Sequence, residues 1–175
     1  MNHIFNTIYL SILLLFLILI SYYISKEISQ IIKDIQLENL LRNKSELNNI
    51  TDKLHFKIAK LYFNKNIIDA AIYELIFNIN KTNKSTNTIS ENLSINYNLL
   101  GKSYEKLNKY QIARNQYYKA LQLCPQNEIT IQYLIDNLIL SNKTLEAIEI
   151  GKQFLELSPN NSRITTQIES LEKKL

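Results

Sequence analysis

The stretch SINYNLLGKSYEKLNKYQIARNQYYKALQLCPQN, running from Ser94 to Asn127, carries two apolar patterns of helical period separated by a short polar break. In its first half Tyr97, Leu100, Gly101 and Tyr104 recur at spacings of three, one and three, which places them on one face of a helix. In its second half Ala113, Tyr117 and Ala120 recur at spacings of four and three, again one face. Leu107-Asn-Lys-Tyr110 reads as the turn between the two helices. Pro125 closes the second helix, because proline has no amide hydrogen to donate and clashes with the turn before it. The small residues Gly101, Ala113 and Ala120 stand where two helices must approach closely, and the tyrosine rings fill the volume beside them. The stretch is a helical hairpin, and its marked residues are core.

Beyond this hairpin the pattern repeats. Pro125 and Pro159 are 34 residues apart, as are Ala113 and Ala147, and Leu100 and Leu134. The unit from Glu128 to Asn161 keeps the register through Ile131, Leu134, Leu138, Ala147, Phe154 and Pro159. Gly151 takes a place that holds a ring in the previous unit, and Phe154 takes the place of a small residue, which reads as an exchange of size along one face. An earlier unit aligns over residues 52–83 through Ile58, Ala59, Tyr62 and Ala71. Ala71 and Ala113 are 42 residues apart, which requires an eight-residue insertion, assigned to an inserted loop at 84–93 beside the polar run Asn80 to Thr88. Residues 162–175 read as the polar capping helix that a stacked array needs at its end. A 34-residue period with these residue types resembles the tetratricopeptide repeat (TPR) family, and residues 94–127 are similar to its consensus at each of the usual signature positions. The resemblance implies helix–turn–helix units stacked into a solenoid whose inner helices line a groove.

Composition agrees with helices throughout. The chain has only Gly101, Gly151, Pro125 and Pro159 as turn-forming punctuation, far too little for an all-β fold. Valine and tryptophan are absent, while Ile, Asn, Lys and Tyr abound; these have AT-rich codons, a mark of genome composition. The net charge is +4, with basic residues such as Lys102, Lys106 and Lys109 spaced singly among acids, which excludes a nucleic-acid arm. Asn-x-Ser/Thr sequons at Asn43, Asn49, Asn80, Asn83, Asn92, Asn142 and Asn160 follow from the abundance of asparagine.

The first residues differ in kind. From Ile4 to Ser25 no residue carries a formal charge. A helix of that length reaches about 33 Å, enough for a ~30 Å hydrocarbon core. Tyr9, Tyr22 and Tyr23 lie near its ends, where amphipathic rings favour the interface. A cleaved signal peptide would carry a basic start and small residues at its exit; here the start is Met1-Asn2-His3 and the exit is Ser21-Tyr-Tyr-Ile-Ser25. Residues 4–25 therefore read as a transmembrane helix. Lys26, Lys33, Arg42 and Lys44 follow the span and no Lys or Arg precedes it, so the repeats belong on the cytoplasmic or stromal side. Residues 26–50 read as a connecting segment: an amphipathic helix with Ile28, Ile31, Ile32 and Ile35 in one stripe, then a polar break at 43–49. The expected architecture is all-α, an N-terminal transmembrane helix followed by an α-solenoid of about three repeats.

Chemistry finds little purchase. His3, His55 and Cys124 have no metal-ligand spacing, and the chain lacks a Gly-rich phosphate loop and a G-x-S-x-G elbow. Cys124 has no partner for an internal disulfide. His55 reads as a surface or groove residue, Cys124 as a loop thiol. The sequence predicts no enzyme, no metal, no cofactor, no nucleic acid and no small-molecule substrate.

What remains is a binding surface. By resemblance to groove-lining repeat positions the candidates are Lys53, Phe56 and Lys60 in the first unit, Asn98, Lys102 and Glu105 in the second, and Gln132, Asp136 and Ile139 in the third. This mixture suits an extended peptide of acidic character. Some TPR domains clamp a terminal carboxylate with Lys, Asn and Arg; no Arg stands at these positions. In full-length architecture the chain also looks like a chloroplast reading-frame family associated with photosystem I assembly. That resemblance implies a thylakoid-anchored assembly factor with photosystem I subunits or assembly intermediates as partners and the lipid bilayer as anchor. A bacterial scaffold for envelope or secretion complexes and an organelle import receptor share the same architecture.

Overall fold

The computed structural model describes residues 2–46, 52–82 and 90–173 and shows eight helices among them. They form two units, residues 1–47 and 48–175.

The first unit is one helix, α1 (Asn2–Glu46). Its stretch Leu10–Arg42 is long and apolar enough to cross a membrane, and none of its most apolar window is buried. Leu14, Phe16 and Ile18 stand exposed, and so do Ile28, Ile31 and Ile35 of the amphipathic part. Residues 43–46 of the expected polar break are helical; the rest of that break lies outside the described residues.

The second unit contains α2 (Asp52–Asn64), α3 (Ile68–Thr82), α4 (Ser90–Lys106), α5 (Tyr110–Leu123), α6 (Glu128–Leu140), α7 (Thr144–Leu157) and α8 (Ser162–Glu172). Each helix packs on the next, and α4 also touches both α2 and α6, so alternate helices form an inner layer and α3, α5 and α7 an outer one. This is a stacked, TPR-like solenoid. One expectation needs correction: residues 90–93, assigned to the inserted loop, are the first turn of α4. Leu93 explains why, since it is buried in the core with Ala59, Leu75 and Ile79 and draws the chain into helix early.

The turn within each hairpin has one device. Asn66, Asn108 and Asn142 adopt φ of 62°, 57° and 57°, a left-handed conformation that asparagine tolerates better than other side chains. The next residue then donates back to the helix it left: Ile67 to Tyr62, Lys109 to Tyr104 and Lys143 to Leu138, at 2.8–3.0 Å. Between hairpins the device is a cap. The Asn127 and Asn161 side chains accept from the amides of Thr130 and Ile164, satisfying donors that a helix start leaves free.

Core packing shows how the degenerate repeat works. A Cβ placed on Gly101 would run into the ring of Tyr117, so in the second hairpin glycine on the inner helix makes room for a ring on the outer one. In the third hairpin the roles reverse. Gly151 on the outer helix lies against Ile135 of the inner one and Ile168 of α8. Gly101 thus makes room for a ring within its own hairpin, whereas Gly151 makes room chiefly for Ile168 of the following helix and meets Ile135 at ordinary contact distance.

Candidate partner-binding face

The inner helices carry all nine groove candidates, but the structure sorts them into two groups. Lys53, Phe56 and Lys60 of α2 line one pocket of about 350 Å³, within the ~300–1,000 Å³ range of ligand pockets. Its other walls come from α3 and α4, and Lys57, Ile95 and Asn96 also face it. A buried amide pair braces these walls: Asn78 of α3 donates its Nδ2 to Asn96 Oδ1 at 3.1 Å, and Asn96 Nδ2 is held by the Asn92 carbonyl at 2.9 Å. Among the described residues no carboxylate forms an ion pair with Lys53, Lys57 or Lys60. These cations stand open to solvent around an apolar floor.

The second and third units differ. Asn98 Nδ2 donates to Thr130 Oγ1 at 2.7 Å, tying α4 to α6. The Lys102 ammonium sits 4.2 Å from the centroid of the Tyr133 ring, a cation–π contact. Glu105 accepts from Asn137 Nδ2 at 2.9 Å. Gln132 Nε2 donates to Asp136 at 3.0 Å and to Gln167 at 2.7 Å, and Gln167 donates to Asp136 at 3.0 Å, closing a ring of three side chains across α6 and α8. Ile139 packs against the apolar core. The inner face here is bonded to itself.

Electrostatics follow burial. Desolvation raises the Glu105 carboxyl above the ordinary carboxylate value; the Asn137 hydrogen bond and the Lys102 charge pull the other way. Tyr117, fully buried beneath, is raised far above the usual phenol value, first by burial and then by the neighbouring Glu105 charge. Its hydroxyl therefore keeps its proton, and the ring serves as packing.

His55 is not a groove or surface residue. It is 2% exposed, with Nδ1 2.7 Å from Glu74 Oε2 and its ring 4.7 Å from that of Phe77. The pair joins α2 to α3, so its role is to hold the first hairpin together. Cys124 is half-buried just after α5. Among the described residues no group of three or more His, Cys, Asp or Glu side chains could hold a metal ion.

Sequence reasoning missed Lys57, Ile95 and Asn96 as pocket walls. Lys57 is one residue after Phe56, and a helix turns about 100° between them, so only the arrival of α3 and α4 brings Lys57 to the same cavity. The partners Thr130, Tyr133, Asn137 and Gln167 sit on the next inner helix, 31 to 35 residues further on, and were missed because the repeat period was read for core positions and not for polar pairs between inner helices.

The chain matches the family model of the tetratricopeptide repeat protein 21 C-terminal ARM domain over residues 14–173. No curated protein matches it in sequence. Solved structures share its fold at low identity. MamA is 17% identical at a TM-score of 0.65, over 81% of this chain and 78% of that one. The first TPR of Spaghetti (RPAP3), bound to an HSP90 peptide SRMEEVD, is 17% identical at a TM-score of 0.57, over 70% and 94%. The second TPR domain of human RPAP3, in complex with an HSP70 peptide SGPTIEEVD, is 15% identical at 0.55, over 70% and 98%. Repeat scaffolds of this kind bind other proteins and are typically not enzymes. With nearly its whole length inside that family model, the chain belongs to the family of the tetratricopeptide repeat protein 21 C-terminal ARM domain.

Proposed function

We propose that this protein is a membrane-anchored scaffold that holds a protein partner on its inner face during assembly of a membrane complex. The observation that carries the reading is the contrast within that face. The basic, apolar-floored pocket at the first hairpin carries lysines with no ion pair among the described residues, whereas Asn98, Glu105 and Gln132 further along the face are each bonded to a side chain of a neighbouring helix. Anchoring rests on α1, whose length and exposed apolar surface suit a bilayer. The similar RPAP3 domains were solved with acidic-ended peptides, which suits a groove that meets an acidic partner. Photosystem I in plastid thylakoids is our reading of the complex, on the strength of the architectural resemblance; a bacterial envelope or secretion complex and an import receptor are its rivals.

Cross-linking the full chain in its own membranes, extracting it in mild detergent and identifying the cross-linked subunits tests the role. Recovery of photosystem I subunits supports the finer reading. Secretion components in their place end it, and the absence of any cross-linked protein ends the scaffold.

A second reading concerns α1. The family match begins at residue 14, inside the apolar stretch, which favours α1 as a further solenoid helix. The two readings part in an alkaline wash of membranes. An anchor keeps the full chain in the pellet and releases a chain lacking residues 1–25, while a solenoid helix releases both.

A further inference from the structure

We infer that the pocket between α2, α3 and α4 is the specificity site of the scaffold, and that it takes one large apolar side chain flanked by carboxylates on an extended partner segment. The inference rests on the scaffold reading and names its partner's chemistry. Three features of the pocket select that occupant. Its floor is apolar, with Phe56 half-buried and Ile95 40% exposed, so an aliphatic or aromatic side chain gains by covering both. Its rim carries Lys53, Lys57 and Lys60, exposed and without an ion pair among the described residues, so acidic neighbours on the segment meet complementary charge. Its walls are held in place by the Asn78–Asn96 bond between α3 and α4, so the cavity needs no rearrangement to receive a side chain. A basic or uncharged segment would leave the lysine charges unmet. An all-polar acidic segment would leave the floor wet.

The rest of the inner face is a poor competitor for the same segment. Lys102 is engaged with the Tyr133 ring, and Asp136 would repel acidic residues. The partner's acidic segment therefore docks at the first hairpin and not along the whole groove.

The test uses the full chain in neutral detergent micelles and fluorescein-labelled nonapeptides of the pattern Ser-Glu-Asp-Glu-X-Glu-Asp-Glu-Ser, with X as Phe, Leu, Ser or Lys, read by fluorescence anisotropy. The Phe and Leu peptides should bind at least about tenfold tighter than the Ser peptide, from burial of one apolar side chain. The combined variant Lys53→Gln, Lys57→Gln, Lys60→Gln should weaken the Phe peptide by roughly tenfold or more and flatten its salt dependence, while Lys102→Gln changes binding by less than about twofold. Phe56→Ala should erase the difference between X as Phe and X as Ser. Because that change touches the core, the surface-lysine variant decides the matter should Phe56→Ala lose helicity. Equal binding of the Phe and Ser peptides, an equal loss in Lys102→Gln, or no binding at all would overturn the inference. So would competition by phosphatidylserine-containing micelles at lipid levels that match peptide binding, which would make the rim a lipid-headgroup site. If the triple-lysine variant still cross-links to the same membrane partners as the unaltered chain, the pocket assignment fails and the scaffold stands. If neither protein cross-links, the scaffold itself fails.

Discussion

Phe56, Asn98 and Gln132 occupy the same place in successive hairpins, as do Lys60, Lys102 and Asp136, yet their surroundings differ. At the second and third hairpins each polar candidate has found a neighbour: Asn98 has Thr130, Lys102 has Tyr133, Glu105 has Asn137, and Gln132 has Asp136 and Gln167. At the first hairpin Lys53, Phe56 and Lys60 surround open space. Equivalent repeat positions thus do two jobs. Toward the C-terminal end they join adjacent inner helices through bonds between side chains. At the first hairpin they line a cavity rimmed by exposed lysines that have no ion pair among the described residues. A buried polar group needs a partner, and a pocket needs its groups free to meet one from outside. Among the nine candidates the inner-face lysines of the first hairpin are left to solvent and the polar groups toward the C-terminal end are bonded to neighbouring helices.

That division makes the middle of the face the stability-critical part. Gly101→Ala should show the largest effect. The added methyl meets the ring of Tyr117, a rigid group with no exposed surface to retreat into. A loss of about 3 kcal/mol, the upper part of the overpacking range, should appear in denaturant unfolding of the full chain. Gly151→Ala meets the flexible side chain of Ile168, which can shift, and touches Ile135 at ordinary contact distance, so it should cost about 1 kcal/mol. Equal losses would mean that Tyr117 is not pinned as described.

Asn137→Ala comes next. Asn137 has no exposed surface and supplies the hydrogen bond to the Glu105 carboxylate. Removing it strands a partly buried charge, at a cost of about 2 kcal/mol. A change below about 0.5 kcal/mol would show that the self-bonded middle contributes no more than an ordinary surface.

How much of this was legible beforehand depends on which forces write themselves into one chain segment. The hairpin of residues 94–127 was readable because core positions recur at helical spacing and Pro125 marks an end. The 34-residue period carried that reading to residues 128–161. The contrast between the two ends of the face was not readable. Lys60 and Lys102 are the same residue type at the same repeat position, and only the Tyr133 ring, 31 residues beyond Lys102, separates an engaged lysine from an open one. His55 shows the same limit. Its burial depends on Glu74 and Phe77 of the facing helix, and nothing in its own helix announces a pair. The Asn66, Asn108 and Asn142 turns were open to view, since they keep the 42- and 34-residue spacings of the repeats.

The middle of the face should also respond to pH, and its sign follows from Glu105. Burial raises its carboxyl in the folded protein, so the native state holds that proton more tightly than the unfolded chain does. Stability from this group is full below the unfolded carboxylate value and falls as pH rises to the raised folded value, beyond which it is flat. Glu105→Gln keeps an acceptor for Asn137 and removes the titration. Unfolding midpoints measured from about pH 4 to about pH 8 should lose this downward step in the variant. A steeper fall in the variant would reverse the sign and show that the Asn137 bond and the Lys102 charge outweigh burial, and identical profiles would place the carboxylate in water.

The smallest expected effect bears most directly on the division of the face. If the lysines at the first hairpin are there to meet a partner, they contribute nothing to holding the fold. Lys53, Lys57 and Lys60 lie within two turns of one helix, at spacings of four and three, where like charges repel weakly. Replacing all three with glutamine should leave stability within about 0.5 kcal/mol, with any shift toward greater stability as repulsion is relieved and largest at low salt. The same substitutions should weaken the acidic peptide strongly, so binding and stability separate at this end of the face. At Asn137 the loss should fall on stability instead, because a group that bonds its neighbour cannot be removed without loosening the stack. A triple variant that unfolds more readily than the unaltered chain would show that the lysines are structural after all, and the division along the face would dissolve.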